Sequence, residues 1–367
     1  MQDVPIEPVP SASSPHPAPL PPERALAAAE RLLAPGTPDR ARAAHRFLDL
    51  APRYGIDFSL GRATLGDRAE APVRQVSLAV PSPGRTAMLF VSGPGTGGAF
   101  GDAEVQAAER AACVRAATRA IAPLRAPDGG PLVALAQALP EPGETWAIRA
   151  YREAGFREIG VLSYLRRPLR VRERAWGGHE AIEARGATGG LPGSGGPELP
   201  IGWRLRSVAA IGGMDAARAS LTVALERSYV DTLDCPGLCG LRATSDVIES
   251  HRSTGVWSPE HWFILEHAPA SADGPGEPLG ALLLNPSPET GSVELVYLGL
   301  APGARGKGIA GPLLRFGIGL AARTGLGEIV CAVDQGNTPA MRLYERCGFS
   351  ERGRRLAFVV APENAPS

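Results

Sequence analysis

The sequence has almost no lysine and no net charge. Lys307 is its sole lysine, so the 38 basic residues are otherwise arginine, and 38 acidic residues balance them. A chain with that balance has no basic surplus to gather on one face, which argues against nucleic acid or a membrane surface as a partner. Arginine is accompanied by much alanine, 45 glycines and 36 prolines, a bias that reads as base composition, so an arginine run alone points to no function. Cysteine is scarce too, with five residues at 113, 235, 239, 331 and 347. An odd, scattered set makes no disulfide framework and suits a reducing, cytoplasmic setting. Cys235 and Cys239 have C-x3-C spacing without a second ligand pair, and His251, His261 and His267 lack metal-site or nucleophile-base spacing. No metal is expected. No apolar run approaches the roughly 18 residues of a membrane span.

What is present divides into two units, as a length of 367 residues suggests. Residues 1–22 hold eight prolines and no apolar segment of signal length, and read as a disordered tail. From 23 to 168 the pattern is α/β. Apolar residues at helical spacing up to Asp57 are broken at Pro35-Gly36; strands follow at 73–80 and 86–91, a helix from an Asp102 cap to 121, a strand at 132–139, a helix at 145–154 and a strand at 156–165. Residues 169–199 begin arginine-rich and end in Gly, Pro and Ser, the composition of a linker. From 200 to 367 the pattern gives strands near 201–208, 262–266, 279–284, 293–300, 328–333 and 355–360, with helices near 214–232, 245–253, 308–323 and 338–346. The halves repeat: Ala147, Tyr151, Gly155 and Phe156 match Ala340, Tyr344, Gly348 and Phe349 at identical internal spacing, each set after an apolar strand.

The segment from Leu298 to Ala310 carries the strongest chemical signal. It joins a strand to a long amphipathic helix through Leu298-Gly299-Leu300-Ala301-Pro302-Gly303-Ala304-Arg305-Gly306-Lys307-Gly308-Ile309-Ala310. Gly306 and Gly308 allow close approach of the backbone to an anion, the free N–H groups of the helix start point at it, and Arg305 adds a charged fork. This is a pyrophosphate cradle. Pro312 must lie in the first helical turn, which puts the helix start near Gly308.

Arg305-x-x-Gly308-x-Ala310 after a strand, then Asn337-x-x-Ala340-x-x-x-Tyr344-x-x-x-Gly348-Phe349, resembles the acetyl-CoA motif of the GNAT N-acetyltransferase superfamily. The full motif lies in the second half, and the first half carries only its C-terminal portion. The resemblance implies an α/β fold of two tandem GNAT-like units, each a mixed, mostly antiparallel sheet flanked by helices, in a layout similar to the mycothiol synthase branch. It also implies that backbone groups of Arg305, Gly306, Lys307, Gly308, Ile309 and Ala310 bind the pyrophosphate of acetyl-CoA. Leu298, Gly299 and Leu300 would pair with the pantetheine arm, Asn337 would touch it, and Tyr344 would protonate the departing thiolate. Glu294, eleven residues before Arg305, stands where relatives carry a general-base glutamate.

Read as residues alone, Tyr344 is also a helix tyrosine that packs under a sheet, and Glu294 an exposed strand carboxylate. Asp231 and Asp234, in the segment 229–239, either hold a cationic amine or end a helix and shape a turn. The first half departs from the motif, with Ser92-Gly93-Pro94-Gly95-Thr96-Gly97-Gly98 in place of the cradle, and with Asp102 and Glu104 at the helix start, where carboxylates repel an anion. That unit is expected to be degenerate. The function implied is transfer of acetyl from acetyl-CoA to a primary amine of a small molecule, by direct attack and without a metal. The competing readings are a non-catalytic module that senses acyl-CoA or a small ligand, and a protein-modifying acetyltransferase.

Overall fold

A computed structural model of the chain describes residues 16–34, 36–66, 72–177, 199–268 and 276–366. Much of the expected tail and linker, residues 1–15 and 178–198, lies outside them. The strands, in chain order, are β1 (Ala18–Pro19), β2 (Gly61–Leu65), β3 (Val73–Ser82), β4 (Thr86–Val91), β5 (Leu135–Ala138), β6 (Arg157–Pro168), β7 (Trp203–Ser207), β8 (Trp262–His267), β9 (Glu277–Ser287), β10 (Ser292–Leu300), β11 (Glu328–Asp334) and β12 (Ser350–Val360). The helices are α1 (Ala25–Leu32), α2 (Arg40–Leu50), α3 (Ala103–Ile121), α4 (Thr145–Glu153), α5 (Val208–Ile211), α6 (Met214–Tyr229), α7 (Thr244–Arg252), α8 (Ala310–Arg323) and α9 (Thr338–Arg346). Among the described residues no helix is long and apolar enough to cross a membrane.

All of the strands join one sheet in the order β1-β2-β3-β4-β5-β12-β6-β11-β10-β9-β8-β7. Its pairing is antiparallel except for β4 with β5 and β10 with β11, which makes it mixed and mostly antiparallel. The order is symmetric about its centre: counted outward, β5 corresponds to β11 and β4 to β10, so the two parallel pairs are equivalent. At that centre the halves exchange their last strands. β12, from the second half, pairs with β5 and β6 of the first, and residues 162–168 of β6 pair with the whole of β11 of the second.

The cores follow the exchange. Phe358 and Val360 of β12 are buried with Leu89, Val114, Ile148 and Tyr151 of the first half, whereas Leu165 of β6 is buried with Val293, Phe316, Ile329 and Tyr344 of the second. Alternation along β9 shows how the sheet serves two faces. Leu282 and Leu284 point to the core under α8 and α9, and Ala281 and Leu283 to the core under α6 and α7.

Three stretches differ from the expected pattern. Ala18–Pro19, in the expected tail, pairs with β2, and Leu20 is buried beside it. The strand β2 itself, with its single leucine, had no alternating apolar signal to mark it. Residues Val171–Gly177, in the expected linker, form a 3-10 helix docked on α8.

Candidate active site

β10 and β11 pair only over Ser292–Glu294 and Glu328–Val330, and then diverge. Beyond that point β10 keeps β9 on one side, while its other edge faces a cavity of about 920 Å³. A bulge at Val296, where the register shifts between Leu295 and Tyr297, bends the strand at the start of the divergence. Leu298, Gly299 and Leu300 line the cavity, where the β10 edge away from β9 is open to an extended ligand except at Leu300 O, which accepts from Arg305 Nε. A strand edge beside a volume of that size is a slot for a long, thin molecule.

The loop at the head of α8 closes one end of the slot. Gly306 and Gly308 both have φ +73°, left-handed backbone that only glycine adopts without strain. Nothing lies within 4 Å of where a Cβ would stand at either position. Gly306, Gly308, Ile309, Ala310 and Gly311 line the cavity. The helix begins at Ala310, two residues later than the sequence suggested, with Pro312 as its third residue. The first N–H groups of a helix have no carbonyl within it to bond, so this turn offers donors and positive potential to an anion.

The side chain of Arg305 does not form the expected phosphate fork. Its Nε donates to Leu300 O (2.9 Å), Nη1 to Asp231 O (3.0 Å), and Nη2 to Ser228 O (2.9 Å) and Val230 O (2.8 Å). Carbonyls at and just past the end of α6, with that of Leu300, take four of its N–H groups, so the guanidinium ties residues 228–231 to the glycine loop. Lys307 also turns away. Its Nζ stands 5.6 Å from the centre of the Trp203 ring, in a separate hollow of about 440 Å³.

Tyr344 and Glu294 approach the start of the divergence from opposite faces, because Glu294 alternates with Val293 and Leu295, which share the core of Tyr344. Tyr344 lines the cavity and packs edge-on against Phe349 with ring centres 5.2 Å apart. Burial, then the neighbouring Cys331 thiol, raise its pKa well above the ordinary phenol value, so it stays protonated. Asn337 caps α9, its Oδ1 accepting from Ala340 N at 3.3 Å, and lines the cavity. Glu294 is half-buried, and burial raises its pKa. Along β10 the 920 Å³ cavity is lined from Leu295 onward, so Glu294 flanks it rather than lines it. Tyr164, on the exchanged strand β6, is close enough for the Glu294 charge to raise its pKa, after the larger effect of burial.

A further carboxylate reaches the slot. Asp234 lines the cavity and accepts from Asp334 N at 2.8 Å. Asp334 in turn accepts from Cys235 N (3.1 Å) and Gly336 N (2.8 Å). Burial raises the pKa of Asp234, with the charge of Asp334 adding to it. The sequence left Asp234 open between turn and site. Nothing in it marked Tyr164, whose place depends on the strand exchange.

In the first half the corresponding positions are filled differently. Met88 pairs with Gln137 and Glu294 with Val330, and each partner lies fourteen residues before the repeat tyrosine, so Met88 stands where the second half has Glu294. The Tyr151 hydroxyl donates to Leu89 O at 2.8 Å across the diverging strands. Arg110 Nε donates to Ser92 O at 3.0 Å, and Asp102 caps α3 by accepting from Val105 N at 2.9 Å.

A splayed parallel pair, a bulged strand and a glycine-rich turn at a helix start together make an open slot that ends in an anion-attracting turn. Residues 240–349 match the model of the acetyltransferase (GNAT) family. Over 241 residues it is 28% identical to the mycothiol acetyltransferase of Pseudarthrobacter chlorophenolicus, a match covering 60% of this chain and 72% of that protein. Over 57 residues it is 41% identical to the mycothiol acetyltransferase of Corynebacterium aurimucosum, which covers 16% of this chain and 19% of that one. The chain thus matches between a fifth and three quarters of the length of these relatives. A GCN5-related N-acetyltransferase structure from Sphaerobacter thermophilus superposes with TM-score 0.51 at 16% identity, covering 94% of this chain and 92% of that one. That likeness is one of fold.

Proposed function

We propose that the second half transfers the acetyl group of acetyl-CoA to a primary amine of a small molecule by direct attack. The observation that carries this reading is the slot itself, an open β10 edge running from a glycine-rich helix start to a buried tyrosine. The backbone of Arg305 to Ala310 holds the pyrophosphate, Leu298 to Leu300 pair with the pantetheine amides, and Asn337 contacts the same arm. Lys307 contributes its backbone only, since its side chain lies over Trp203. Glu294 accepts the proton that the attacking nitrogen must lose, directly or through a water, a task its raised pKa suits. Tyr344 supplies a proton to sulfur as the carbon–sulfur bond breaks, and its raised pKa keeps that proton available.

The first half is read as a degenerate unit. Met88 replaces the base, and Tyr151 bonds a strand carbonyl that a pantetheine arm would need. The two units on this reading are residues 23–168 and 200–367, with the exchanged strands as their seam. The test is calorimetry with acetyl-CoA, followed by a screen of primary amines for release of free CoA thiol. Saturable binding with one site per chain and amine-dependent thiol release is the expected result. Binding without release across a broad amine set would favour a sensor, and acetylation of protein lysines without small-amine turnover would favour a protein-modifying enzyme.

A further inference from the structure

The first half holds a guanidinium where the second half has its slot. Ser92, four residues past Met88, falls in the stretch that corresponds to Leu298–Leu300, and Trp146, beside Ala147 of the repeat, corresponds to Pro339. Both counterparts line the 920 Å³ cavity. Between Ser92 and Trp146 stands Arg110 of α3. Its Nε donates to Ser92 O at 3.0 Å, and its guanidinium carbon lies 5.4 Å from the centre of the Trp146 ring. A second arginine arrives from α1: Arg31 Nη2 donates to Gly93 O at 2.7 Å and to Arg74 O at 3.0 Å, with the Phe100 ring centre 5.1 Å from its guanidinium carbon. Two cations therefore bond the consecutive carbonyls of Ser92 and Gly93.

Neither cation has a carboxylate. Arg110 is 3% exposed, and its Nη groups have no acceptor among the described residues. Arg31 Nε is buried and likewise without a hydrogen-bond partner among them. Glu109, the buried carboxylate beside Arg110 in sequence, is held elsewhere, by Arg74 Nε at 3.1 Å and Thr64 Oγ1 at 3.2 Å. Glu104 and Glu153 are both bonded to Arg149. Burial, and then the charge of Arg31, lower the Arg110 pKa to about 10, and burial, then the charge of Arg40, do the same to Arg31. Both stay protonated at neutral pH, so the positive charge remains. Ring faces ease a cation by about 0.5–2 kcal/mol and cancel none of its charge. A desolvated ion without a counter-ion costs several kcal/mol. An oxyanion between the two guanidiniums would supply both the acceptor and the charge.

We propose that Arg31 and Arg110 bind a small oxyanion, a carboxylate or phosphate group, at the place in the first half where the second half has its slot. The proposal stands apart from the acetyl-CoA reading, since it needs neither the glycine turn before α8 nor Tyr344. The Tyr151 hydroxyl ties the diverging strands together through Leu89 O, which suits a short ligand rather than a long arm. Residues 94–98, largely exposed and glycine-rich, follow Gly93 directly and give the way in. Planar guanidiniums fork onto carboxylate and phosphate alike, so the chemistry recognised is the oxyanion itself. The bound anion bridges α1 to α3, two helices whose arginines otherwise repel one another. The half that has Met88 in place of a base thus keeps a ligand of its own.

The test is hydrogen–deuterium exchange of the full chain at fixed ionic strength, with inorganic phosphate, with succinate, and with chloride alone as the reference. Phosphate or succinate is expected to slow exchange in residues 92–113 by about threefold or more, since a ligand that bridges α1 to α3 suppresses local opening. Slowing by phosphate alone would mark a phosphoryl ligand, and slowing by succinate alone a carboxylate. Arg110→Gln should raise the concentration for half the effect about tenfold or more, the loss expected for one charge-assisted hydrogen bond. Arg31→Gln should do the same, and serves if the first variant does not fold. Gly308→Ala should leave this protection intact while weakening any at residues 305–312, which separates binding here from binding at the glycine turn. No slowing at 92–113 with either ion, protection there that survives the arginine substitutions, or protection lost with Gly308→Ala would overturn the proposal.

Discussion

Replacing Arg305 by alanine separates two roles that the same residue could play. If the guanidinium holds phosphate, its loss weakens acetyl-CoA binding and reduces the salt dependence of that binding, with little effect on stability. The geometry says otherwise, because four of its donors are spent on carbonyls of Leu300, Ser228, Val230 and Asp231. The bonds to Leu300 and Ser228 are part-buried, and hydrogen bonds to a charged group contribute about 1.5 kcal/mol each at the low end. The other two are exposed, and water replaces them at small cost. The expected loss is therefore about 3 kcal/mol, borne by the junction of residues 228–234 with the glycine loop. At about 1.4 kcal/mol per factor of ten, this junction would open roughly a hundredfold more often. Urea unfolding followed by circular dichroism should report lower stability, and calorimetry at two salt concentrations should find the acetyl-CoA affinity changed only a few-fold with its salt slope intact. A large fall in affinity with a flattened salt slope and an unchanged unfolding midpoint would refute the reasoning and restore the phosphate fork.

Tyr344→Phe should lower turnover by roughly 10² or more while acetyl-CoA affinity stays within a few-fold, since only a hydroxyl is lost; near-wild-type turnover would make the ring a packing residue. Because burial raises the pKa of Glu294, the acid limb of the pH-rate profile should fall at higher pH than for an exposed carboxylate. Glu294→Gln should lose most activity at low pH and recover toward the pKa of the acceptor amine, whereas an equal loss at every pH would assign the residue to positioning. Gly308→Ala places a side chain at φ +73°, which costs roughly 1–2 kcal/mol, and should weaken acetyl-CoA binding about tenfold in the same calorimetry. Residues 200–366 expressed alone lack β6, which leaves the edges of β11 and β12 without partners. They should fail to give a monomer by size-exclusion chromatography unless residues 16–177 are co-expressed, and a monomeric, acetyl-CoA-binding fragment would contradict the exchange.

The legible parts of this protein were the local ones. The helix carrying Tyr344 and its twin carrying Tyr151 could be matched by spacing because each repeat sits on one helix and the turn after it. The glycine turn before α8 was readable for the same reason, since loop and helix start are contiguous in sequence. What Arg305 contacts was not readable, for its partners lie 74 to 77 residues away on the end of α6 apart from Leu300. A guanidinium forks as well onto carbonyls as onto phosphate, and only the fold decides which is in reach. Tyr164 and the docking of Val171–Gly177 were hidden by the strand exchange. β6 reads the same whether its neighbour comes from its own half or from the other, because an apolar strand carries no label for its partner.

That exchange also sets an order on folding as the chain is made. Residues 16–168 leave the ribosome with β5 and β6 already complete, yet in the finished sheet β12 lies between them. The first half must therefore wait for residues 350–360, holding open a gap that its own two strands could close by pairing with one another. Such a premature pairing would shut out Phe358, which packs against Tyr151 in the core of the first half. Contacts spanning about 200 residues form slowly because the loop between them must close first, so the incomplete half remains exposed for a long interval.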